Sequence, residues 1–129
     1  MNTIHLTLLF AGLCALVQCA LTVLVIVRRV HTGVKLMDGG DNPLLTRVRA
    51  HGNFTETAPI ALILLALLEL GGLAPHWLWA LGVCLLLGRV LHATSLLTNG
   101  AIWSRLAGMV LTLAVLSVGG VLCIGMFWR

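Results

Sequence analysis

The stretch IHLTLLFAGLCALVQCALTVLVIV, residues 4–27, contains no Lys, Arg, Asp or Glu. A hydrocarbon core is crossed by about 20 helical residues, and only a helix or a closed barrel satisfies its backbone there. No segment shows the period-2 alternation of a barrel strand, so the run reads as a transmembrane helix. Three more apolar segments follow at 44–70, 77–97 and 104–128. The fourth is free of charge from residue 106 to 128, whereas the middle two are less plain. The second carries Arg47, Arg49 and Glu56 toward one end, and the third carries Arg89 and His92.

Composition agrees with this reading. Of 129 residues 60% are hydrophobic and 9% charged, with a mean hydropathy of +1.08. This excludes a soluble globule, disorder, collagen and a disulfide scaffold. The net charge of +4 does not point to nucleic acid, because the basic residues are spread over several segments without aromatic interleaving. Phospholipid headgroups or a small anionic ligand suit them better.

The first helix is expected to stay in the mature protein, since Met1, Asn2 and Thr3 lack basic charge and Arg28 and Arg29 come after it. Seven basic residues (Arg28, Arg29, Lys35, Arg47, Arg49, Arg89, Arg105) lie toward the first and third connections, while the turn at 71–76 has none. The positive-inside rule then puts both termini on the non-cytoplasmic side, with Arg129 a small exception. The first connection, 30–43, includes Asp38-Gly39-Gly40-Asp41-Asn42-Pro43, a run of turn formers. Thr98-Asn99-Gly100 is a stop signal for the third helix. Short connections favour antiparallel neighbours, so the expected fold class is an all-α integral membrane protein, an antiparallel four-helix transmembrane bundle forming one domain over 1–129.

Chemistry is sought where charge enters apolar helices, because an ionisable side chain at mid-bilayer costs roughly 2.5 to 3.5 kcal/mol on insertion scales. Arg49, Asn53 and Glu56 fall at i, i+4 and i+7 and share one stripe of the second helix. Pro59 follows within a turn, and the carbonyl it frees is expected to face a polar cavity. Arg89 and His92, at i and i+3, share a face of the third helix, and Arg105 opens the fourth. Arg28, Arg29, Lys35 and Arg47 read as snorkelling to headgroups. His92 serves either a ligand contact or an interhelical hydrogen bond. Such a cluster, open to the cytoplasm, suits a small molecule with more negative than positive groups. Glutathione is one: two carboxylates for Arg, an ammonium for Glu, amides for Asn, and a thiol whose pKa of about 8.5 a fixed cation lowers.

Arg49-Ala50-His51-Gly52-Asn53-Phe54-Thr55-Glu56-Thr57-Ala58-Pro59 resembles the second-helix signature of the MAPEG family, the membrane-associated proteins in eicosanoid and glutathione metabolism. Gly88-Arg89-Val90-Leu91-His92 is similar to its third-helix signature, and Arg105 stands where prostaglandin E synthase-type members carry a catalytic Arg. The resemblance covers essentially the whole chain. It implies a homotrimer with glutathione as co-substrate between subunits, and a lipophilic small-molecule substrate entering from the lipids. It further implies that Arg49, Asn53, Glu56, Arg89 and His92 bind glutathione, that Arg28 or Arg29 reaches a carboxylate, and that Arg105 holds the thiolate. The chain has no Tyr; Leu96 stands where many eukaryotic members have one, and Gly52 where several have another Arg. The His-Gly-Asn version looks closer to bacterial inner-membrane members.

The expected function is therefore glutathione transferase or peroxidase activity on lipophilic substrates. The alternative is a non-catalytic binding or assembly protein whose polar pocket holds a lipid headgroup or other small anion. A transporter fits less well, since paired broken helices and inverted halves are missing. Cys14, Cys19, Cys84 and Cys123 lie in apolar spans without C-x-x-C spacing and read as buried small hydrophobes. His5, His31 and His76 offer no metal set. Trp77, Trp79, Trp103 and Trp128 mark span ends. Glu69 is placed where water could reach it, and Gly119, Gly120 and Gly125 are placed at close helix contacts.

Overall fold

A computed structural model describes residues 4–128 as four helices: α1 (His5–Thr32), α2 (Asn42–Leu70), α3 (Pro75–Leu97) and α4 (Ile102–Phe127). Among those residues there is no strand, and each helix is long and apolar enough to cross a membrane. Met1, Asn2, Thr3 and Arg129, which entered the topology expectation, lie outside the described residues.

The helices outrun the apolar segments because polar residues continue a helix until a cap stops it. α1 passes through Arg28 and Arg29 and ends at Gly33, whose φ of +70° suits glycine and whose N–H donates to the Arg29 carbonyl at 2.8 Å. The expected loop thus shortens to 33–41. α2 starts on Asp41, whose carboxylate accepts the Leu44 N–H at 2.7 Å. Pro43 sits in the first turn, where its missing donor costs nothing. α3 ends as its stop signal predicts: Asn99 has φ +50°, and the Gly100 N–H donates to the Ser95 carbonyl at 2.9 Å.

α2 and α3 form the centre, with α1 and α4 each packed on both but not on one another. The buried core joins Phe54, Ala58, Ala61, Leu65 and Leu68 of α2 to Leu78, Leu81 and Leu85 of α3. Cys14 and Leu21 of α1 close one side and Val115 of α4 the other. Polar contacts tie α1 to α2 at both ends, and Gln18 of α1 meets His51 of α2 at 2.8 Å between them. Arg28 donates to Asp41 through Nε at 3.0 Å and Nη2 at 2.7 Å, so the residue that caps α2 also holds the end of α1. Glu69 accepts the N–H of Leu6 on Oε1 and of Thr7 on Oε2, each at 2.8 Å. This carboxylate, only half-buried and so within reach of water as expected, also covers open donors at the start of α1.

The closest helix contacts fall elsewhere than expected. A Cβ on Gly108 would lie 2.7 Å from the Gly88 carbonyl and 2.8 Å from the His92 nitrogen, so α3 and α4 touch backbone to backbone there. Gly119 meets only ordinary contact with Leu64, and Gly120 and Gly125 face open space. α2 runs through Pro59 without ending. Pro59 and Thr55 line a hollow of about 170 Å³ against Ala11, Cys14 and Ala15 of α1, which is apolar and not the polar cavity expected. Cys14 is buried, but Cys19 is exposed and Cys84 and Cys123 are only partly covered, because single helix faces point away from the four-helix core.

Candidate functional site

On α2 the 3.6-residue period puts Arg49, Gly52, Asn53 and Glu56 along one face. That face forms a wall of a hollow of about 460 Å³ completed by His92 and Leu96 of α3 and Arg105 of α4. Five of the expected residues therefore meet: Arg49, Asn53, Glu56, His92 and Arg105. The two positions that depart from the family pattern, Gly52 and Leu96, line the same space. A Cβ on Gly52 would meet nothing within 4 Å.

Arg89 sits apart from that hollow. It is 2% exposed and donates through Nη2 to Asn53 Oδ1 and through Nη1 to Thr57 Oγ1, each at 2.6 Å. A guanidinium in an apolar interior is tolerable only with such partners. The bond fixes the Asn53 amide: its oxygen is occupied, so its two N–H donors remain for the hollow. Thr57, one turn beyond Asn53, is a partner that sequence reasoning missed; the i, i+4 spacing of two polar residues was the available signal.

His92 lines the hollow, yet it is 5% exposed and neither ring nitrogen has a hydrogen-bond partner among the described residues. The charges of Arg89 and Arg105 both act on it. A buried imidazole with two unmet nitrogens carries a desolvation cost of about 1–3 kcal/mol per group, which a ligand group would remove. The backbone approach of Gly108 to His92 sets the ring there, and neither Gly88 nor Gly108 was singled out for this in the sequence.

The other expected cations lie outside the hollow. Arg28 spends its fork on Asp41, and Arg29 makes only a 3.4 Å contact with the Val34 carbonyl. Arg47, read as snorkelling, also donates through Nη1 to the Leu24 carbonyl of α1 at 3.0 Å. At Asp41, outside the spans, the hydrogen bond from Arg28 is the largest cause holding the carboxyl below its ordinary value.

The chain is similar to inner membrane protein YecN of Escherichia coli, from strain K12 and from strain O6:H1. It is 34% identical to each over 84 residues, 65% of this chain and 64% of the relative. The match thus spans just under two thirds of that protein's length. No solved structure matches the chain. Residues 7–125 match the MAPEG family, nearly the full length of the four helices, and the chain belongs to that family.

Proposed function

We propose that this protein is a glutathione-dependent membrane enzyme that activates the glutathione thiolate for conjugation to, or peroxide reduction of, lipophilic substrates. The observation that carries the reading is the convergence of Arg49, Asn53, Glu56, His92 and Arg105 on one hollow, where His92 has two unmet ring nitrogens. Arg49 grips a carboxylate, Glu56 takes the ammonium, the Asn53 N–H donors meet an amide or carboxylate oxygen, and His92 supplies a further polar contact. Arg89 acts as a positioning residue through Asn53. Arg105 holds the thiolate. With the thiol proton released to solvent, a fixed cation lowers the pKa from about 8.5 and raises the reactive fraction.

In conjugation the sulfur lone pair forms a C–S bond, and either a leaving group departs with its bonding pair or the π pair of a double bond moves to the neighbouring carbon, which takes a proton from solvent. In peroxide reduction the thiolate attacks one peroxide oxygen and the O–O bond breaks. The alkoxide takes a proton, and a second glutathione converts the sulfenic acid to disulfide and water.

The assembly we propose is an antiparallel bundle in an inner membrane, with both termini on the non-cytoplasmic side and the hollow open to the cytoplasm. The contacts Arg28–Asp41 and Glu69–Leu6, at opposite ends of α1 and α2, support the antiparallel reading. The similarity to the inner membrane protein YecN supports the inner membrane. Arg49 and Glu56 are exposed on the single chain, in a helix otherwise apolar enough to span a membrane. Charge facing lipid is costly, so a further copy covering that face supports the homotrimer. Arg28 or Arg29 of one copy is then the cation we assign to a carboxylate at a neighbour's site, and Arg29 has the freer fork.

Isothermal titration of the detergent-solubilised protein with glutathione tests this reading. Heat saturating in the micromolar to millimolar range is expected, and no heat at millimolar ligand removes the proposal.

A further inference from the structure

A second hollow, of about 370 Å³, lies one turn outward from the first. Its walls come from the start of α2 and from the α3–α4 turn, so Arg47 and Leu97 of this hollow directly adjoin Val48 and Leu96 of the other. The polar side chains lining it are Asn42, Thr46, Arg47 and Asn99, with Leu45 and Leu97 as apolar wall. No acidic residue lines it. Asp41 is close enough to feel Arg47, but its carboxylate is taken by Arg28 and by the Leu44 N–H.

A cation and two amides without an acidic neighbour in the lining suit an anion. Arg47 is tethered through Nη1 to the Leu24 carbonyl, which holds the guanidinium in place and leaves its Nε and Nη2 edge without a protein acceptor among the described residues. That edge is the one that grips an oxyanion bidentately. Across the hollow, the Asn99 side chain is carried by a backbone at φ +50°; its amide and that of Asn42 are exposed and open to an incoming ligand. A carboxylate satisfies one fork in one plane, whereas donor-bearing side chains set both on α2 and on the opposite turn suit the several oxygens of a phosphate. Leu45 is 39% exposed and offers apolar surface beside those donors.

We propose that this hollow is a phosphate-binding site, gripped by Arg47 with the amides of Asn42 and Asn99, and separate from the glutathione reading. Two sources share that chemistry, a phospholipid headgroup and free phosphate.

Native mass spectrometry of the full chain released from nanodiscs of phosphatidylglycerol or phosphatidylcholine, together with titration by inorganic phosphate, tests it. Phosphatidylglycerol adducts that exceed phosphatidylcholine adducts in the wild type and fall about tenfold in Arg47→Gln support the site with a lipid headgroup as source. Saturable binding of inorganic phosphate, lost in Arg47→Gln, supports it with free phosphate as source. Asn99→Gly keeps the turn geometry and removes only the amide, so it reports on the site even if Arg47→Gln fails to fold; a loss of several-fold is expected. Lys35→Gln, a loop cation outside the hollow, should leave binding unchanged. Retained binding in Asn99→Gly, equal losses in Lys35→Gln, or no phosphate-bearing adduct from either probe overturns the proposal. Glutathione heat measured on the same variants should stay at the wild-type level, which separates failure here from failure of the first site.

Discussion

Arg89 Nη2 donates to Asn53 Oδ1 at 2.6 Å across the α2–α3 contact. A buried cation thereby orients an amide that lines the candidate site, without lining it itself. Replacing Arg89 by Met leaves Asn53 Oδ1 and Thr57 Oγ1 without their donor. Loss of about 1–3 kcal/mol in unfolding free energy and weaker glutathione binding are expected together. Wild-type affinity in Arg89→Met, measured by calorimetry, argues against the positioning role.

Arg105→Ala is expected to abolish thiolate formation, read as ultraviolet absorbance on mixing with glutathione, while leaving affinity largely intact. Glu56→Gln should do the reverse, weakening binding and sparing the thiolate signal per bound ligand. If both variants lose binding equally, the division of roles between α2 and α4 is wrong.

Gly108→Ala forces a Cβ to 2.7 Å from the Gly88 carbonyl and 2.8 Å from the His92 nitrogen. These are backbone atoms and cannot swing aside, so destabilisation of about 1–3 kcal/mol is expected. Gly120→Ala, with nothing within 4 Å, should be neutral or gain up to about 1 kcal/mol from helix propensity. Melting curves of the pair in one detergent check the contrast.

Gly52→Arg places a cation into the open edge of the hollow, where its Cβ meets nothing. Unchanged melting and tighter binding of an anionic ligand are expected. A fall in melting temperature of several degrees would show the space to be occupied.

The Asp41 carboxyl is held below its ordinary value of 3.8, first by the Arg28 hydrogen bond. A group depressed on folding contributes stability above its unfolded pKa and loses it as pH falls through the lower folded value. The wild type should therefore lose stability relative to Asp41→Asn as pH drops from neutral to below 3.8. A constant difference across that range would mean the ion pair adds nothing.

How far the site could be read in advance differs by residue. Arg49, Asn53 and Glu56 were legible together because they share one helix, where spacing fixes which side chains lie on a common face. Arg105 and His92 could be listed but not placed, since their meeting with α2 depends on how α3 and α4 roll against it. The tether of Arg47 was not legible because its partner, the Leu24 carbonyl, lies on another helix and a backbone oxygen leaves no mark in composition. The partners of Glu69 were hidden for the same reason, being the amides of Leu6 and Thr7.

What the chain alone determined is the four apolar helices, because a run of uncharged residues of that length must satisfy its own backbone, and the polar stripe on α2, because helical period is local. Tertiary structure decided which stripe faces which. The withdrawal of Arg89 behind Asn53, the union of Arg28 with Asp41, and the seat of His92 on Gly108 each join residues distant in the chain. Such contacts follow from interhelical packing at glycines and from the rule that a buried charge must find a partner, and neither is expressed in the order of residues along any one helix.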